Sequence, residues 1–177
     1  MDATGTKRKK REMTVEGKNK YFSTLCILLL VALGSSCNGG SHRYSFNEDL
    51  PPDGWSKYNK PEFRAEIDDT SSSFDILFSI RNSHEYPYRN LFLFVTTTSP
   101  SGQFIKDTIE YQLADNKGKW YGKGLGDIHN LSVPYKNNVI FPVPGEYSFR
   151  LEHGMRSDRL EGIVDLGLII KKRDNKQ

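Results

Sequence analysis

The chain has 177 residues with a formal net charge of +3, and 36% of it is hydrophobic, 12% aromatic and 27% charged. That composition excludes a charge-driven disordered chain and leaves room for one ordinary domain or two very small ones. The charge is uneven: the first 37 residues carry +4 and the remaining 140 carry −1, so the positive balance belongs wholly to the N-terminus.

The elements begin with Lys18-Asn19-Lys20 and an apolar run from Tyr21 to Leu33. As a helix that run is about 20 Å long, too short for the roughly 30 Å hydrocarbon core of a bilayer. A basic n-region, a short apolar h-region and the small residues Gly34-Ser35-Ser36 spell a secretory signal, and Cys37 follows at once. A thiol at that point stands where bacterial lipoprotein signals place the lipidated residue, so Cys37 is expected to be an anchor. Residues 1–36 are then an extension and signal peptide absent from the mature protein. The basic run Lys7 to Arg11 belongs to that segment, which removes the case for a nucleic-acid arm. With Cys26 discarded and Cys37 acylated, the mature domain keeps no thiol for a disulfide, a zinc cluster or nucleophilic catalysis.

Residues 37–54 read as the lipidated Cys and a flexible tether, rich in Gly, Ser and Asn and closed by Pro51-Pro52-Asp53-Gly54. From Trp55 apolar residues recur with period 2, the spacing of half-buried strands. Phe63, Ala65 and Ile67 form one such row, and Phe74, Ile76, Phe78 and Ile80 form the clearest. Leu91 to Val95 is apolar on both faces, which suggests a strand covered twice. Further strands are expected over Gln103 to Lys106, Thr108 to Leu113, Leu131 to Tyr135, Val139 to Phe141, Tyr147 to Leu151 and Val164 to Ile170. Turns punctuate them at Ser99-Pro100-Ser101-Gly102, Asp115-Asn116-Lys117-Gly118, Asn137-Asn138 and Pro142-Val143-Pro144-Gly145. Asp158 to Gly162 and Gly124 to Asn130 read as a helical turn or irregular loop. The expected fold is an all-β antiparallel sandwich over residues 55–172, jelly-roll-like or immunoglobulin-like, with seven to nine strands and a polar tail over 173–177.

Chemistry-bearing patterns are sparse. His42, His84, His129 and His153 show no metal-ligand spacing, and Gly122-Lys123-Gly124-Leu125-Gly126 lacks the flanking strand and helix of a phosphate loop. No G-x-S-x-G elbow occurs, so no catalytic residue, metal or cofactor is expected. The aromatic excess is the stronger signal: Trp55, Tyr86, Tyr88, Trp120, Tyr121 and Tyr135 fall in turn-like segments. There they either meet a peptide or sugar, or cover the open ends of the sandwich. Tyr86, Tyr88, Asn90, Trp120 and Tyr121 are the candidate partner-binding residues.

A set of short motifs runs in order through the domain: Arg81-Asn82, Tyr86-Pro87-Tyr88, Asn90-Leu91, Pro100-x-Gly102, Asp107-Thr108-Ile109-Glu110 and Gly118-x-Trp120-x-Gly122-x-Gly124. Phe141-Pro142, Gly145-x-Tyr147-x-Phe149, Met155-Arg156, Leu160-x-Gly162-Ile163 and Asp165-x-Gly167-Leu168 complete it. In this order, with Cys37 ahead, the chain resembles the GldH family of gliding-motility lipoproteins of the Bacteroidota. The resemblance implies a lipoprotein needed for gliding and associated with type IX secretion, with envelope proteins of that machinery as partners and no catalytic residues. Surface lipoproteins of that phylum often carry acids just after the lipidated Cys, whereas the first acid here is Glu48. The expected site is therefore the outer membrane, facing the periplasm. The runner-up is a lipid-anchored carbohydrate- or peptidoglycan-binding module, which would show coplanar, exposed rings on one face.

Overall fold

The computed structural model describes residues 43–173, and among them there are ten strands and no helix. The first is β1 (Arg43–Asp49), followed by β2 (Trp55–Ser56), β3 (Glu62–Ile67), β4 (Phe74–Ser83) and β5 (Asn90–Thr98). Then come β6 (Phe104–Gln112), β7 (Ile128–Val139), β8 (Gly145–His153), β9 (Arg159–Leu160) and β10 (Ile163–Lys172). One four-stranded sheet has the order β1-β10-β4-β7 and the other β3-β8-β5-β6, while β2 and β9 pair as a short ribbon. All pairings are antiparallel.

These orders are those of a jelly roll. Folding the eight long strands once as a single long hairpin pairs first with last and so inward, and the pairs β1·β10, β3·β8, β4·β7 and β5·β6 are all present. Of the two sandwich types expected, the jelly roll is the one formed.

The inward rows follow from period 2. Phe74, Ile76, Phe78 and Ile80 of β4 meet Leu166, Leu168 and Ile170 of β10, and all are buried against Leu91, Leu93 and Val95 of β5 and Phe149 and Leu151 of β8. Leu91 to Val95 has only one deeply buried face. Phe92 and Phe94 lie on the outer face, half-buried, where Gly154 lies against the Phe92 Cβ and the Phe94 ring and Lys106 reaches over Phe94 at 5.3 Å.

Three further expectations change. Residues 43–49 are not tether: Tyr44 and Phe46 of β1 pack on the core while the whole strand pairs with Lys171 to Asp165 of β10. Its Asn, Glu and Asp content reads as loop because a sheet-edge strand exposes one face and needs little apolar sequence. Residues 1–42, including Cys37 and the start of the expected tether, lie outside the described residues, as do residues 174–177. Asn137-Asn138 is not a turn between two strands but a bulge within β7, where Asn138 has φ 57° and donates its N–H to Asp75 Oδ1 at 3.0 Å. Asn tolerates the left-handed region, so a bulge and a hairpin share this signature. Finally, the Asp158–Gly162 segment holds β9, with Leu160 paired to Trp55.

The edge strands of the two sheets, β6 and β7, are stitched together. Tyr111 donates its hydroxyl to the Pro134 carbonyl at 2.9 Å, and Tyr135 donates to Asp107 Oδ2 at 2.6 Å. Lys136 Nζ joins the same carboxylate at 2.9 Å. Burial pushes the Tyr111 hydroxyl up to about 12, and burial followed by the bond to Asp107 pushes Tyr135 up as well. Pro134 sits where an edge strand accepts it, since no N–H is required there.

The antiparallel order sorts the loops into two ends. Arg43, Arg173 and the loops after β3, β5 and β7 lie at one end, called here the Arg43 end. The loops after β1, β4, β6 and β8 lie at the other, the Tyr86 end, about 30 Å away along a nine- or ten-residue strand.

Candidate functional site

All five candidate partner-binding residues fall at the Tyr86 end, contributed by the β4–β5 and β6–β7 loops and the start of β5. The two loops are laced by backbone bonds. Leu113 N–H and Ala114 N–H both donate to the Arg89 carbonyl, at 2.7 and 3.1 Å, and Tyr121 N–H donates to the Leu113 carbonyl at 2.9 Å. Ala114 and Trp120 pair across the turn between them. Inside that turn Asp115 Oδ1 accepts N–H groups from Lys117 and Lys119, and these bonds, the Lys119 one first, hold its carboxyl below the usual range. Arg89 Nη1 donates to Asn116 Oδ1 at 2.7 Å, a side-chain tie between the loops.

The aromatic residues divide by role. Tyr86 is 2% exposed: its hydroxyl donates to the Asn90 carbonyl at 2.8 Å, and burial raises its pKa. Its backbone is pressed by Gly162, where φ is +78° and a Cβ would stand 2.2 Å from Tyr86 N. Only glycine meets both conditions. Tyr88 is half-buried and its hydroxyl lies 2.7 Å from Ser157 Oγ, tying the β4–β5 loop to the β8–β9 loop. Asn90 is also half-buried and donates from Nδ2 to Glu110 Oε1 at 2.7 Å. Trp120, half-buried, packs on the core with its ring 6.4 Å from Tyr86 and 6.0 Å from His129. Tyr121 alone of the five is mainly in solvent, at 55% exposed.

The other two turn-like aromatics are also covered, one wholly and one in part. Trp55 is fully buried, with its indole N–H donating to the Asn59 carbonyl at 2.8 Å, and Tyr135 lies on β7 stacked on Phe78 at 5.0 Å. The residues the sequence leaves unmarked are Leu125, 97% exposed beside Tyr121's loop, and Tyr58, also exposed at this end. Leu125 sits in the Gly122–Gly126 stretch, whose fold-back is fixed by the Lys123–Asn130 pairing and by Gly124, where a Cβ would be 1.7 Å from Ile128 O. An apolar residue between glycines in a turn was the available signal for it. Beside these lies an open polar hollow of about 570 Å³ lined by Arg89, Gln112, Asp115, Lys117 and Tyr121.

A histidine and an aspartate are buried at this end as well. His153 packs edge-on to Trp55 at 5.0 Å with neither ring nitrogen hydrogen-bonded, and burial lowers its pKa. Asp165 stands between Asp49 and Arg81 in one cross-strand row; Arg81 is 3.9 Å from Oδ2, Oδ1 has no partner, and burial raises its pKa. Among the described residues no group of His, Cys, Asp or Glu has the arrangement of a metal site.

The family described as GldH lipoprotein matches residues 42–170. The chain is also 33% identical over 161 residues to the gliding motility lipoprotein GldH homolog of Christiangramia forsetii, covering 87% of this chain and 98% of that protein. The chain belongs to the GldH family of gliding-motility lipoproteins. The GldH of Flavobacterium johnsoniae is 32% identical over 127 residues, covering 68% of this chain and 79% of that protein. Among solved structures a cellulose-specific carbohydrate-binding module aligns with a TM-score of 0.38 at 7% identity, over 77% of this chain and 75% of that one. A likeness of that size carries neither fold nor function. The family match runs from the start of β1 nearly to the end of β10, and the short motifs read from the sequence now have places. Tyr86, Gly162 and the Gly118-x-Trp120-x-Gly122-x-Gly124 run all hold the laced end together.

Proposed function

We propose that this chain is a lipid-anchored, non-enzymatic adaptor of the gliding machinery and its associated type IX secretion apparatus, held by Cys37 in the outer membrane and facing the periplasm. Family membership supports the gliding role, and the match to the C. forsetii relative is long enough to run across position 37. The absence of an acid between Cys37 and Glu48 supports the periplasmic side.

The observation that carries the adaptor reading is the build of the Tyr86 end. Tyr86, Tyr88, Asn90 and Trp120 spend their polar atoms and rings on holding two loops in place, and the second of those loops presents Tyr121 and Leu125 to solvent. A pre-ordered turn with an exposed aromatic and an exposed aliphatic suits a protein partner, because little side-chain and loop entropy is left to lose on binding. A glycan platform needs flat, exposed rings, whereas Tyr86 and Tyr88 meet edge-on at 72° and Tyr86 is buried.

The test uses the exposed pair, since Tyr88 and Trp120 also support the fold. Tyr121→Ala combined with Leu125→Ala should leave melting and membrane association unchanged, yet abolish gliding and the co-purification of envelope proteins. Normal gliding and unchanged partners in that variant would overturn the adaptor reading. Cys37→Ser should release the domain from membranes at both low and high salt.

A further inference from the structure

Four apolar side chains stand in solvent at the Arg43 end, on segments that belong to different sheets. Phe104, 69% exposed, and Ile105 open β6, while Ile140, 57% exposed, and Val143 lie in the β7–β8 loop. Between the two segments runs an apolar groove of about 640 Å³, floored by Ile76, Val139, Phe141 and Tyr147. Contiguous apolar surface of this kind marks an interaction site. The cations around it are largely paired within the domain: Lys136 with Asp107, Lys172 with Asp69 and Arg173 with Asp75. An occupant is therefore drawn by apolar contact more than by charge.

The chain itself indicates the occupant. Arg43 pairs with Lys171, and Lys171 with Asp75, so β1 starts in the row next to the one where Phe74 pairs with Val139 of the groove. Three strand spacings, about 15 Å, separate β1 from β7. Cys37 precedes Arg43 by six residues, a reach of about 20 Å when extended. A lipid on Cys37 therefore keeps the Arg43 end beside the bilayer, with the Tyr86 end about 30 Å further along β4.

We propose that Phe104, Ile105, Ile140 and Val143 seat in the interface of the bilayer that holds Cys37, standing the sandwich upright with its Tyr86 end away from the membrane. This rests on the lipidation of Cys37 proposed above, and adds the orientation and the second contact. Aliphatic and aromatic side chains are suited to shallow burial among headgroups and the first acyl carbons. Each contributes little, but the tether makes the contact intramolecular, so a seat too weak to recruit the free domain holds the anchored one. The consequence is positional: Tyr121 and Leu125 meet their partner clear of the surface, not against it.

The experiment uses the acylated protein in phosphatidylcholine vesicles, with one added cysteine carrying an environment-sensitive dye. Acylated Cys37 does not react with the dye, so Ile140→Cys, Val143→Cys, Tyr121→Cys and Leu125→Cys each report one place. With brominated acyl chains in the vesicles, the Ile140 and Val143 probes should be quenched several-fold more than the Tyr121 and Leu125 probes, equally at low and high salt. In a background of Ile140→Asp and Val143→Asp, a dye at Ile105→Cys should lose its quenching while the protein stays on the vesicles. Equal quenching at both ends, quenching at the Tyr86 end alone, or crosslinking of the Ile140 position to an envelope protein instead of lipid would overturn the proposal. Mass spectrometry of the same samples separates the two readings. Unacylated Cys37 sinks the anchor and the orientation together, whereas complete acylation with flat quenching sinks the orientation only.

Discussion

The two ends of the sandwich are made from the same kinds of residue and organised in opposite ways. At the Tyr86 end, glycine, tyrosine and tryptophan are consumed in lacing: Gly162 is pressed on the Tyr86 backbone, Tyr88 reaches Ser157, and Arg89's carbonyl takes two N–H groups from the neighbouring loop. At the Arg43 end, turns close on themselves by short local bonds, as in Ser99 N–H to the Gln103 carbonyl, and Phe104, Ile140 and Val143 are left out in solvent. Aromatic or apolar content in a turn therefore does not locate a contact surface by itself. Whether the polar atoms and rings are already engaged decides it.

Glycine substitutions give the widest separation between the ends. Gly162 and Gly102 both have positive φ, but a Cβ at Gly162 meets Tyr86 N at 2.2 Å while one at Gly102 meets nothing. Gly162→Ala should cost about 3 kcal/mol or more in urea unfolding, combining backbone strain with a steric shift of the β4–β5 loop. Gly102→Ala should cost about 1 kcal/mol, the strain alone. Equal losses would mean the Tyr86 end is no more tightly built than the other.

Acid should separate the ends next. The His153 imidazole has its pKa lowered from 6.5 by burial, so below that pH the unfolded chain gains a proton that the folded one resists. Stability held above pH 6.5 is therefore lost as pH falls towards the folded value. At the Arg43 end Asp69 and Asp107 are held below their usual 3.8 by hydrogen bonds, chiefly from Lys172 and from Tyr135, so their contribution is lost only below about pH 4. Hydrogen exchange followed from pH 7 to 4 should show the loops around His153 loosening first. His153→Phe, which keeps the edge contact with Trp55 and removes two unpaired nitrogens, should abolish that early loosening. Asp165 runs the other way: its raised pKa means stability present below pH 3.8 and lost as pH rises through the folded value, so Asp165→Asn should flatten that loss in melts taken from pH 4 to 7.

The smallest effect tests one tie of the lacing. Tyr88→Phe removes the hydroxyl that meets Ser157 and should cost about 0.5–1.5 kcal/mol by thermal melting, with the core unchanged. No cost at all would show that the β8–β9 loop is held by Gly162 and β9 without help from Tyr88.

The sandwich class and most strands were legible because period 2 is written residue by residue, most plainly in Phe74 to Ile80. The candidate site was legible as a list of residues but not as an arrangement. Tyr86 and Trp55 carry the same turn-like surroundings in sequence as Tyr121, yet they are buried, because burial depends on which loop folds over them. Strand β1 was hidden for a related reason: its partner β10 lies more than a hundred residues away, and a mostly polar edge strand shows itself only beside that partner.

By itself the sequence determined the charge asymmetry, the short apolar run ahead of Cys37, the alternating strands and the order of the short motifs, since all are local patterns of residue type. Only the tertiary structure decided the jelly-roll order, the division into a laced end and an apolar rim, and the exposure of Tyr121, Leu125, Phe104 and Ile140. Those are consequences of which distant segments meet, and the physical reason is that antiparallel pairing of first strand with last sends alternate loops to opposite ends.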